Sequence, residues 1–139
     1  VIRFVADLCR KYSQGTENSP SSYFAGHIGG DDFVIIHPRE TIHTYCEAFI
    51  REFDEKIKDF YNTQDLKRGY IRIQNRKGKI ERFPVMSISL AVVCIDALHP
   101  LHYGEISLRG SEIKKYLKSF KGSHYLIDRR ILKTKAKAA

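Results

Sequence analysis

The chain has 139 residues, of which 42% are hydrophobic and 29% are charged, and its formal net charge is +8. No stretch approaches the roughly 20 apolar residues of a membrane-spanning helix, and no signal peptide is visible, so composition argues against a membrane-embedded protein and predicts a cytoplasmic one. At this length we expect one domain, residues 1–130, followed by a basic, disordered tail over residues 131–139.

The first part of the chain is predicted to form a helix, a hairpin and a longer helix. Apolar residues at i, i+3, i+4 and i+7 predict a helix over residues 1–12, and a segment rich in Ser, Gly, Asn and Pro predicts a loop over residues 13–22. Two short apolar strands, residues 23–28 and 33–37, flank a glycine turn. A long apolar stripe predicts the next helix, over residues 41–61.

The next part is predicted to form strands. Residues 69–74 and 79–83 are expected to pair as an exposed, basic hairpin about a turn at residues 75–78. Residues 85–95 are almost entirely apolar and rich in β-branched side chains. This composition predicts a central strand that is buried on both faces.

The last predicted elements are a helix over residues 105–120, ended by Gly122 as a C-cap, and a strand over residues 123–128. Because hairpins require antiparallel pairing, the order of elements predicts an α+β fold in which helices flank an antiparallel sheet. The three cysteines are far apart and odd in number, which predicts reduced core thiols instead of a disulfide framework.

The most informative segment is Gly29-Gly30-Asp31-Asp32, between the first two predicted strands. Glycines allow positive φ angles and a close approach of the backbone to a ligand. Adjacent carboxylates can hold Mg²⁺, which often bridges to substrate phosphates. Two glycines between apolar strands are also an ordinary hairpin signal, so the turn by itself leaves both interpretations open. The neighbouring His27 is predicted to be structural or exposed at the rim.

Three segments together resemble the GGDEF domain of bacterial diguanylate cyclases. Residues 29–33, Gly-Gly-Asp-Asp-Phe, stand where that family has Gly-Gly-(Asp/Glu)-Glu-Phe. Residues 87–92 are similar to its buried strand, and residues 112–122, which include Lys118, are similar to its last helix and the segment that follows. The variant Gly-His-Ile-Gly-Gly-Asp-Asp-Phe is similar to those found in proteins that also carry an EAL phosphodiesterase domain.

The resemblance implies a nucleotide-cyclase or palm-like fold with a ferredoxin-like core, and we expect the family's first strand and helix to be missing from this chain. It implies that two copies of the domain, as a homodimer, condense two GTP into cyclic di-GMP and two pyrophosphates, with Mg²⁺ as cofactor. Under this resemblance Asp32 is catalytic, Asp31 is the metal ligand, and Gly29, Gly30 and Lys118 bind the nucleotide. A linked EAL phosphodiesterase or sensory domain is the further partner it suggests.

Departures from the family pattern lead us to expect that this chain is inactive by itself. Asp32 replaces a glutamate, which withdraws the carboxylate by roughly 1.5 Å. Ser123 stands where the family often has an arginine. The second metal-binding aspartate of the family belongs to the part that we expect to be missing.

Two other functions stay open. One is a degenerate, non-catalytic GTP-binding domain that regulates a linked phosphodiesterase. The other, more distant, is a basic module that binds nucleic acid, since the net charge and the basic hairpin suit a polyanion. That hairpin lacks the stacked aromatic side chains of a single-strand platform, and no nucleic-acid partner is expected under the leading hypothesis.

Overall fold

The computed structural model describes residues 1–13, 24–96 and 100–130. They belong to two compact units, Val1–Met86 and Ser87–Ala139. The predicted loop after residue 13 and the predicted tail over residues 131–139 lie outside the described residues.

Among its described residues, the Val1–Met86 unit contains three α-helices and two hairpins. In chain order these are α1 (Ile2–Ser13), β1 (Phe24–Gly29), β2 (Asp32–Ile36), α2 (Ile42–Lys56), α3 (Thr63–Arg68), β3 (Tyr70–Gln74) and β4 (Ile80–Pro84). The first two predicted helices and both predicted hairpins are confirmed. The end of the long helix is tighter than predicted, because Ile57–Phe60 is a 3-10 helix.

The core of this unit is the contact between α1 and α2. The apolar stripe of α2 is buried as its spacing predicts, at Cys46, Phe49 and Phe53. From α1, the ring centroid of Phe4 lies 5.9 Å from that of Phe53, and the ring of Tyr12 lies 5.4 Å from that of Phe49. Burial of these large side chains is the main stabilising contribution to the contact.

A carboxylate at the edge of this core links the two helices. Glu52 on α2 accepts hydrogen bonds from Lys11 Nζ at 2.7 and 2.8 Å, from Lys56 Nζ at 2.7 Å and from the Tyr12 hydroxyl at 2.9 Å. The hydrogen bonds from Lys11 and then Lys56 lower the pKa of Glu52 to about 2. Burial, with the Glu52 hydrogen bond, raises the pKa of Tyr12 to about 12.

Helix α3 is an element that the sequence analysis does not predict. The Asn62 side chain caps its start by accepting a hydrogen bond from the Asp65 backbone N–H at 2.8 Å. Gly69, predicted to begin a strand, ends the helix in the left-handed region with φ 75°. This capping asparagine and terminal glycine were the available signal.

Both hairpins are antiparallel. In the first, Phe24 faces Ile36 and His27 faces Phe33, with a bulge between His27 and Gly29. Helix α1 lies against both strands of this hairpin. The second hairpin, β3–β4, is exposed along most of its length, as predicted.

The Ser87–Ala139 unit contains, among its described residues, β5 (Ser89–Val92), α4 (Tyr103–Leu117) and β6 (His124–Ile127). Strands β5 and β6 are parallel, with Ser89 opposite His124 and Val92 opposite Ile127, and α4 packs against both. A fully antiparallel sheet is therefore wrong for this unit. A helix between two strands returns the chain to the same end of the sheet, which permits parallel pairing.

The prediction of a central strand over residues 85–95, buried on both faces, is also wrong. Strand β5 has four residues, all of them half-buried, and its ladder among the described residues is with β6 alone. An apolar run indicates burial but does not fix how much of it finds a hydrogen-bonding partner. Gly122 is not the predicted C-cap, since α4 ends at Leu117 and Lys118 is its cap, although Gly122 does have a positive φ of 86°.

Asp128, at the end of β6, is the buried charged residue of the described core. Burial opposes its ionisation, but Arg130 Nε lies 2.9 Å from both carboxylate oxygens and outweighs that effect, so the pKa of Asp128 is lowered. Arg109 on α4 also contacts this carboxylate, at 3.5 Å. The network holds α4 to the end of β6.

The architecture is mixed α+β with small sheets and packed helices, as predicted at that level. Cys9 and Cys46 are buried and Cys94 is half-buried, and all three are free thiols. Within the described ranges, no helix combines the length and the apolar character needed to cross a membrane.

Replacing Glu52 with Gln is expected to lower the free energy of unfolding by about 1–2 kcal/mol at neutral pH, a range reduced because both lysines are largely exposed to solvent. The folded-state pKa lies below the ordinary value of 4.5, so this stabilisation is present above about pH 4.5 and is lost as pH falls toward 2. This stabilisation is measured by urea unfolding at several pH values, with circular dichroism as the signal.

Glu55→Gln is the matched control, because Glu55 is exposed on the same helix; its cost should stay below about 0.5 kcal/mol. Equal stability of Glu52→Gln and the native chain at neutral pH would contradict the role given to Glu52.

Candidate nucleotide site

The candidate site is the turn that joins β1 to β2. Gly29, Gly30, Asp31 and Asp32 are adjacent there and all exposed. Gly29 has φ 153° and Gly30 has φ 58°, both in the region that favours glycine. The paired strands on either side are the ones that the sequence predicts.

The backbone angles of the turn, and not the packing around it, favour glycine at these two positions. A Cβ atom on either one would have no heavy atom within 4 Å except those of the residues next to it in the chain. The space next to this backbone is therefore open, and a ligand could approach the main chain without displacing a side chain.

His27 braces the turn from the end of β1. Its Nε2 lies 3.1 Å from the carbonyl oxygen of Gly30, and its ring centroid lies 4.7 Å from that of Phe33. The side chain is exposed, so the expectation of a structural or rim position is confirmed. With the Nε2 tautomer protonated, His27 donates to the carbonyl and fixes the orientation of the Gly30–Asp31 peptide.

Gly26, which is not among the predicted site residues, is also constrained. A Cβ atom at this position would lie 2.9 Å from Cε1 of Phe24 and 3.4 Å from Cγ1 of Val34. Gly26 thus leaves room for the Phe24 ring, and a glycine in the interior of a predicted strand was the signal for such a close approach.

The two carboxylates lie at successive positions with different backbone roles. Asp31 is in the turn, and Asp32 is the first residue of β2, opposite Gly29. Alternation along β2 places Asp32 on the same face as the exposed Val34 and Ile36, whereas Phe33 lies on the opposite, half-buried face. The acidic pair is therefore accessible to a ligand from solvent.

This donor set fits Mg²⁺ only together with an anionic ligand. Within the described residues there is no group of three or more His, Cys, Asp and Glu side chains placed to hold a metal. Mg²⁺ often uses one or two carboxylates, with water and substrate phosphates as its other ligands. Asp31 and Asp32 match that pattern as part of a metal–nucleotide complex.

Lys118, the other predicted nucleotide ligand, belongs to the Ser87–Ala139 unit and is exposed at the C-cap of α4. The turn and Lys118 are thus positioned by separate sets of contacts. A cation at a helix C-terminus is also stabilised by the helix dipole, which gives Lys118 a structural reason to be basic.

Ser123 has a defined role at the position where the family often has arginine. Its Oγ accepts a hydrogen bond from the Ile88 backbone N–H at 3.0 Å. The His124 backbone N–H donates to the Ile88 carbonyl at 3.1 Å. These contacts align the starts of β5 and β6.

Comparison of the chain with protein-family models, with curated proteins and with solved structures returned no match.

A Gly29→Ala substitution tests the backbone requirement. We expect it to lower the free energy of unfolding by about 1–3 kcal/mol, because an L side chain at φ 153° is strained even where space is open. The measurement is chemical denaturation.

Gly110→Ala is the contrasting substitution, since Gly110 lies within α4, has no positive φ and has equally open surroundings. It should stabilise the chain by about 0.4–1 kcal/mol. If both substitutions shift stability in the same direction, the turn does not impose the constraint described here.

Proposed function

We propose that this chain is a GGDEF-type domain of bacterial cyclic di-GMP signalling, and that the β1–β2 turn binds the phosphates of GTP. One observation carries the proposal: two glycines with positive φ and open surroundings lead directly into two exposed carboxylates on a paired hairpin. The same combination would let a phosphate group reach the main chain next to a metal-binding carboxylate.

The chemistry of GTP explains each part of the turn. Open backbone at Gly29 and Gly30 lets phosphate oxygens approach the main chain. Asp31 would hold Mg²⁺, which would offset phosphate charge, and Asp32 would contribute the catalytic carboxylate. Lys118 is the further phosphate ligand that the family resemblance suggests. In the family reaction the 3′-hydroxyl of one GTP attacks the α-phosphate of the other, so a homodimer is required.

The proposed fold is the nucleotide-cyclase or palm-like type, with a ferredoxin-like core. The mixed α+β architecture and the glycine turn between two antiparallel strands support it. Such a domain would act in the cytoplasm, where its substrate is found, beside a linked EAL phosphodiesterase or sensory domain.

We propose that the chain is inactive as a cyclase when it is alone. The shorter side chain of Asp32 would misplace the carboxylate, and a displacement of about 1 Å can cost on the order of 10²-fold in rate.

A second candidate is a non-catalytic GTP-binding domain that regulates a linked phosphodiesterase. The contact between Ser123 and Ile88 favours it, because the residue at the family's arginine position is used for strand alignment. Loss of a phosphate ligand weakens transition-state stabilisation without abolishing binding of GTP.

Replacing Asp31 with Asn is expected to raise the Kd for GTP at least tenfold in the presence of Mg²⁺, since it removes the anionic metal ligand. Isothermal titration calorimetry measures the effect. Asp59→Asn is the matched control, because Asp59 is an exposed aspartate of the same unit outside the turn, and it should change Kd less than twofold.

Binding of GTP with no cyclic di-GMP above a no-protein blank is the expected result for the chain alone. Absence of any heat with GTP and Mg²⁺ would reject both candidates. Formation of cyclic di-GMP would reject the inactivity proposed above and with it the non-catalytic candidate.

A further inference from the structure

A large group of basic side chains lies away from the glycine turn. Residues 67–82 contain seven basic side chains and one acidic side chain, in a chain whose total net charge is +8. They cover the end of α3 and the β3–β4 hairpin, which we call the basic ribbon. The basic side chains are Lys67, Arg68, Arg72, Arg76, Lys77, Lys79 and Arg82.

Like charges face each other across this ribbon. Arg72 and Arg82 are directly opposite in the β3–β4 register, so their side chains share one face. Such a pair is destabilising unless an anion is nearby. Among the described residues neither arginine forms an ion pair, and Glu81, which pairs with Ile73, lies on the opposite face and accepts a hydrogen bond from Asn75 at 2.7 Å.

Tyr70 lies on this face and contacts two guanidinium groups, those of Arg82 and of Arg68, which is also paired with Asp65. The guanidinium carbon of Arg82 lies 5.2 Å from the ring centroid of Tyr70, and that of Arg68 lies 5.7 Å from it. Because these arginines already contact the ring, Tyr70 is poorly placed to stack on an unpaired base. It instead orients cations toward one side of the ribbon.

The tip of the ribbon is held in one conformation. Asn75 Oδ1 accepts hydrogen bonds from the backbone N–H groups of Lys77 at 2.9 Å and Lys79 at 3.0 Å, and Gly78 has φ 76°. The tip, residues 75–79, contains no apolar side chain. Its lysines and arginine are therefore presented on a fixed backbone that suits an anionic surface better than the interior of a membrane.

We infer that the basic ribbon binds the phosphate backbone of double-stranded nucleic acid. Five-residue strands extend about 17 Å, long enough to follow several successive phosphates instead of enclosing one small anion. A two-stranded ribbon fits the major groove, which is about 12 Å wide. Contacts to phosphate need cations and not the stacked aromatic side chains that the ribbon lacks. The inference is independent of the proposed GTP site.

The test is fluorescence anisotropy of the full 139-residue chain with a labelled 20-base-pair DNA duplex, without GTP or Mg²⁺, over a series of salt concentrations. Four to five phosphate contacts predict a slope of about −4 in a plot of log binding constant against log salt. Arg72→Gln/Arg82→Gln and Arg76→Gln/Lys77→Gln should each weaken binding at least fivefold and reduce the slope by about 2.

Lys58→Gln/Lys115→Gln is the matched control, since it removes two exposed charges from outside the ribbon, and it should change affinity less than twofold. The side chains of Arg76 and Lys77 make no hydrogen bond or ion pair within the described part of the chain, so unchanged circular dichroism would show that this tip variant keeps its fold. Asp31→Asn should bind the duplex like the native chain, which separates this test from that of the GTP site.

Equal losses in the ribbon and control variants would overturn the inference, because binding would then follow total charge. So would the absence of binding at low salt. Tighter binding to a single strand of the same sequence, or to vesicles containing phosphatidylserine, would overturn it in favour of a different partner.

Discussion

The contact between α1 and α2 is the constraint on which the Val1–Met86 unit depends. Cys46, Phe49 and Phe53 of α2 are buried. The rings of Phe4 and Tyr12 on α1 pack against Phe53 and Phe49, and Glu52 joins the edge of the same contact through Lys11. Most of the stabilisation comes from burial of apolar surface. The carboxylate adds a directional link that fixes how the two helices face each other.

The position of the candidate site depends on a second contact of α1, on the side that packs against the first hairpin. This helix lies against both strands of the first hairpin, so one face of the hairpin is held to the core. At the turn that joins those strands, no residue other than the chain neighbours lies within 4 Å of where a Cβ atom of Gly29 or Gly30 would be. A rigid support with an open turn suits a phosphate-binding loop, because the backbone of the loop is then held in place and is free to contact the ligand.

The two hairpins show how similar local topology serves different chemistry. The first turn has an open backbone and two acids, and suits a phosphate group through a metal ion. The second turn is fixed by the side chain of Asn75 and presents cations, and suits phosphate directly. Among the described residues no acidic side chain forms an ion pair with Arg72 or Arg82, so their direct opposition points to an external anion.

Periodicity and turn chemistry are local properties, and for that reason the sequence by itself determined α1, α2, α4, both hairpins and the glycine turn with its two acids. It also contained the caps of α3, in Asn62 and Gly69. Only the tertiary structure decided that β5 pairs in parallel with β6 over four residues and that Glu52 links two helices. These contacts depend on which distant segments of the chain meet. Hydrogen bonds and charge pairs between such segments produce no periodic pattern in the sequence.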